Sequence, residues 1–149
     1  MRPSLRFVEP VLAHDDPAAA LHALALLDVQ TLLETPHNIG TLYLAHEVQQ
    51  PRFDSFRAHR AELQAAYTTL ASTRTDDAEF VGTACIQLVE MVITIRRDGD
   101  PAPDIASSIA SSCLRLLGLP PAEVERTAAA GTRLRSTLVD EALGGREGP

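Results

Sequence analysis

Apolar residues recur along most of the chain at spacings of three and four, and alanine- and leucine-rich runs are separated by clusters of proline, glycine and aspartate. That spacing marks amphipathic helices, and no segment sustains the alternation that a half-buried strand requires. A short apolar-periodic piece over residues 4–13 ends at His14-Asp15-Asp16, where Asp16 is placed to cap a second helix and Pro17 occupies its first turn. This helix runs to about Glu34, and a short helix over residues 39–46 follows before Gln49-Gln50-Pro51. A long amphipathic helix over residues 52–72 turns Phe53, Phe56, Leu63, Tyr67 and Leu70 inward. Asp76 or Asp77 caps the next helix, over residues 78–97, which Asp98-Gly99-Asp100-Pro101 stops. Pro103 or Asp104 opens another that ends at Leu117 with Gly118 as its cap, and Pro120-Pro121 starts a last helix to about Leu143. The pattern predicts an all-α bundle of about six helices, one domain over residues 1–143 with a flexible tail over residues 144–149.

The helix over residues 78–97 keeps Thr83, Gln87, Glu90 and Thr94 in one narrow stripe, and apolar residues cover most of the remaining circumference. A helix apolar on so many sides is buried on more than one of them. The next helix carries Ser107, Ser108, Ser111 and Ser112, small enough for another helix to approach closely. The two helices are therefore expected to form a twofold dimer interface, a four-helix bundle between chains. Ile86, Val89, Ile93, Ser108, Ser111 and Ser112 are its candidate contacts.

Composition narrows the function classes. The 149 residues carry a formal charge of −7, and every basic residue is an arginine, which argues against a nucleic-acid surface. No uninterrupted apolar run reaches bilayer length and no apolar signal core follows Met1, so a reducing cytoplasm is the expected compartment. Cys85 and Cys113 sit among apolar residues and read as core filler. The five histidines, His14, His22, His37, His46 and His59, include no pair four apart on a helix, and no metal or other cofactor is expected. Nucleophile elbows, phosphate loops and dinucleotide fingerprints are absent from the sequence.

Several consecutive stretches resemble the C-terminal domain of TetR-family transcriptional regulators. They are Leu27-Asp28-Val29, Pro36-His37-Asn38-Ile39-Gly40-Thr41-Leu42-Tyr43-Leu44, and Glu47-Val48-Gln49-Gln50-Pro51-Arg52-Phe53 running into Phe56-Arg57-Ala58-His59-Arg60. Leu88-Val89-Glu90-Met91-Val92-Ile93-Thr94-Ile95-Arg96 continues the likeness through Arg97-Asp98-Gly99-Asp100-Pro101 to Leu114-Arg115-Leu116-Leu117-Gly118. The resemblance implies a helical domain that binds a small effector and dimerises through its last two main helices. In that family a three-helix N-terminal head reads DNA. Only about 16 residues precede the helix at Pro17, too few for three helices with turns, so no helix-turn-helix head is expected here.

The resemblance also implies a pocket among the helices over residues 21–34, 39–46, 52–67 and 78–94. Asp28 shares the apolar arc of Leu21, Leu24 and Leu32, where a carboxylate serves as a ligand anchor, as an acid/base group or as a structural hydrogen-bond partner. His37 and His46 join it, and Tyr43, Phe56 and Tyr67 supply aromatic walls. Thr83 and Gln87 are read toward the pocket, and Glu90 and Thr94 toward solvent or an interface. The leading expectation is a homodimer that binds a hydrophobic metabolite as sensor, sequestering protein or partner of a full-length regulator. The alternative is an enzyme of specialised metabolism in the same pocket, with Asp28 and His37 doing the acid/base work of cyclisation, isomerisation or dehydration.

Overall fold

A computed structural model describes residues 3–34 and 54–145, without the Phe56 side chain. The described residues form a 3₁₀ turn, Pro3–Phe7, and six α-helices: α1 (Val8–Leu12), α2 (Pro17–Glu34), α3 (Asp54–Ala71), α4 (Ala78–Asp98), α5 (Ile105–Leu116) and α6 (Pro121–Gly144). The all-α expectation holds, and the boundaries lie where proline, glycine and aspartate punctuate the sequence. The helix expected over residues 39–46 lies outside the described residues, as does most of the tail expected over 144–149.

The centre of the bundle is α2. It packs against α1, α3, α4, α5 and α6, and an unbroken run from Ala18 to Val29 is buried. Alanine at Ala18, Ala19, Ala20, Ala23 and Ala25 favours this, because small side chains there let neighbouring helices approach closely between the leucines. Its start is fixed as the sequence implies: the Ala19 N–H donates to Asp16 Oδ1 at 3.2 Å. At its other end Arg96 Nη1 of α4 donates to the Leu32 carbonyl at 2.9 Å, satisfying an acceptor that the helix terminus leaves open.

The helix starts after α3 and α4 lack side-chain caps. Asp77 and Asp104 stand at the N-cap positions of α4 and α5, yet neither side chain makes a capping bond. Gly118 does act as expected: its φ of 83° reverses the chain after α5 and lets Leu117 and Leu119 both return to the core.

Two close helix approaches complete the frame. Gly82 lets α4 rest on the α3 backbone at Thr68, where an added Cβ would lie 2.8 Å from the Thr68 Cα. Gly131 likewise lets α6 cover His22 of α2. By length and composition α4 is also apolar enough to cross a bilayer, but in the fold it packs against α2, α3 and α5.

Candidate functional site

Asp28 lies fully buried at the middle of the bundle. Ser4 Oγ donates to its Oδ1 at 3.1 Å and Tyr67 Oη donates to its Oδ2 at 3.4 Å. Ser4 and Tyr67 are fully buried as well, so this carboxylate joins the 3₁₀ turn, α2 and α3 through hydroxyl groups. Of the aromatic and acidic candidates, the structure therefore brings Asp28 and Tyr67 together. His37, Tyr43 and His46 lie outside the described residues, as does the Phe56 side chain.

Cys113 of α5 is fully buried, as is Cys85 of α4. Interaction with the Cys85 thiol, burial and the charges of Cys85 and Asp28 together push the Cys113 thiol well above its ordinary range. Both thiols are free and buried. Their burial is in keeping with the reading of both residues as core filler.

A second polar layer lies between α3 and α4. Arg60 grips Glu90 with Nε 3.0 Å from each carboxylate oxygen and Nη2 2.8 Å from Oε1. Its Nη1 reaches Gln64 Oε1 at 3.3 Å, Gln64 Nε2 donates to Thr83 Oγ1 at 2.9 Å, and Thr83 donates to the Glu79 carbonyl. Thr83 thus belongs to an interhelical network. Glu90 corrects the sequence reading: it faces neither solvent nor an interface, because α3 places a guanidinium beside it and buries it to 4% exposure. Gln87 is exposed, on the arc of α4 that also carries Phe80 and Met91.

Three of the expected dimer contacts lie inside the single chain. Ile86 and Val89 are fully buried and Ile93 is 6% exposed within the single chain, all three packed into its own core. Periodicity showed that α4 is apolar nearly all round, but only its neighbours decide which apolar side is inward. The outward side carries Phe80 at 65% and Met91 at 42% exposure, with Ala84, Leu88 and Ile95 half-buried beside them. At about 100° per residue these five share one stripe along α4. On α5, Ser108 is exposed and Ser111 and Ser112 are half-buried, with Ser112 Oγ donating back to the Ser108 carbonyl at 2.8 Å.

His22 is a buried polar group that the sequence reading left unassigned. It is 2% exposed, its Nδ1 has no hydrogen-bond partner, and burial lowers its pKa to about 4. Ser4, Arg60 and Gln64 were likewise not singled out. Their one sequence signal is a polar residue on an otherwise inward-facing segment. On the surface, a groove of about 620 Å³ runs along α6, lined by Pro10, His14, Arg133, Leu134, Leu138 and Glu141 among others. Among the described residues no cluster of His, Cys, Asp and Glu is arranged to hold a metal ion.

No protein-family model and no curated protein sequence matches the chain. Among solved structures, the chain is similar to AmtR of Mycobacterium smegmatis, a TetR-family regulator, with a TM-score of 0.75 and 33% sequence identity. The match covers 88% of this chain, which spans 66% of the length of AmtR. The fold is TetR-like, as the resemblance in the sequence implied.

Proposed function

We propose that this TetR-like chain is the effector-binding and dimerising body of a regulatory protein. The observation that carries the reading is the likeness to AmtR, which combines 33% identity with a shared helical architecture over most of the chain. The effector is a small hydrophobic molecule held among α2, α3 and the residues between them. His37, Tyr43, His46 and Phe56 supply its contacts, while Asp28, Tyr67 and Thr83 shape the wall through the hydrogen bonds described above. Binding acts by occupancy, and no cofactor takes part.

Dimerisation uses the outward stripe of α4, Phe80, Ala84, Leu88, Met91 and Ile95, with Ser108, Ser111 and Ser112 of α5 beside it. Leaving this stripe in water costs free energy in proportion to the apolar area, and a second copy related by a twofold axis covers both stripes at once. The partner is a second copy of this chain or a longer relative with the same stripe. With a formal charge of −7, these residues are not assigned a nucleic-acid surface. The compartment proposed is the cytoplasm.

Incubation with a metabolite extract of the source cells, followed by mass spectrometry of the bound and free pools, tests the effector reading. A compound retained unchanged, at one per chain or per dimer, is the expected result. A compound steadily converted by substoichiometric protein would contradict it and assign acid/base catalysis instead.

A further inference from the structure

We propose that Asp28 is a positioning residue, a latch through which the N-terminal segment Pro3–Leu12 and helix α3 are mechanically coupled. Leu5, Phe7, Val8 and Val11 bury the segment against the bundle, but apolar contact is non-directional and does not fix its position along α2. The Ser4 bond to Asp28 does, because a hydrogen bond demands both a distance and an angle. The other oxygen of the same carboxylate receives Tyr67 at 3.4 Å, close to the limit at which such a bond has value.

The two arms share one planar group. Any rotation of the Asp28 side chain that improves one arm moves the oxygen of the other, so a shift of α3 by a few tenths of an ångström is felt at Ser4. Ser4, Asp28 and Tyr67 are all fully buried, so bulk water does not stand in for a lost donor. A surface carboxylate with the same partners would dissipate the movement into solvent. The inference rests on the geometry of the described residues and is independent of which effector the chain binds.

Hydrogen exchange read by mass spectrometry on the whole chain tests the latch. Ser4→Ala removes one arm directly, and Tyr67→Phe removes the other while keeping the ring that fills the core. Each is expected to raise exchange over residues 3–12 by about five-fold, the equivalent of one modest hydrogen bond, with α6 unchanged. The double variant is expected to exchange more slowly than the product of the two single effects, because both arms act on one carboxylate. Faster exchange over residues 3–12 in Ser4→Ala but not in Tyr67→Phe would overturn the proposal. So would a uniform rise across all helices, which marks general loosening, or strictly multiplicative effects.

Discussion

Acid is expected to weaken this fold through His22. In the unfolded chain the imidazole takes a proton near its ordinary pKa of 6.5, whereas burial lowers that value to about 4 in the fold. The neutral ring is the form the fold accepts. Above pH 6.5 both states hold it neutral and stability is at its full value. Between 6.5 and about 4 the unfolded state binds a proton that the folded state refuses, so stability falls with pH at up to about 1.4 kcal/mol per unit. From pH 7.5 to pH 5 the two pKa values give a loss of about 2 kcal/mol. The ring is 2% exposed, so solvent screening takes little from this figure. Urea unfolding followed by circular dichroism at half-unit steps from pH 7.5 to 5 measures it. His22→Leu, similar in size and without a titrating group, is expected to remove most of the slope. A slope that survives in His22→Leu would refute the reasoning, as would a flat profile in the parent chain.

Gly131→Ala places a Cβ 2.8 Å from the His22 Cβ, so we expect overpacking to cost about 1–3 kcal/mol, read as a lower urea midpoint or Tm. Arg60→Met removes the guanidinium held 2.8 Å from the buried Glu90 Oε1, an expected loss of about 1–3 kcal/mol at pH 7. A loss below about 1 kcal/mol in the same urea assay would mean that the Arg60–Glu90 pair adds little to stability.

The helices were legible because the punctuation is local chemistry. Asp16 and Pro17 start α2, Gly118 supplies the positive φ that ends the turn after α5, and Pro121 opens α6. Asp28 was legible as a buried carboxylate because Leu21, Leu24 and Leu32 share its arc, but its donors were not. Ser4 and Tyr67 reach it from other elements, and the periodicity of one helix carries no information about what packs against it. The same limit explains α4. Its apolar residues cover so much of the circumference that the sequence did not separate Ile86, Val89 and Ile93, which face the chain's own core, from Phe80 and Met91, which face out. Glu90 lay in a polar stripe that looked solvated until α3 supplied Arg60.

The outward stripe of α4 is the feature on which the proposed dimer depends, and light scattering on the size-separated chain at micromolar concentration tests it most directly. The parent chain is expected at twice its 16.1 kDa mass, and Phe80→Arg with Met91→Glu at 16.1 kDa with helicity retained. A parent chain that runs as a monomer, or a double variant that stays dimeric, would contradict the account.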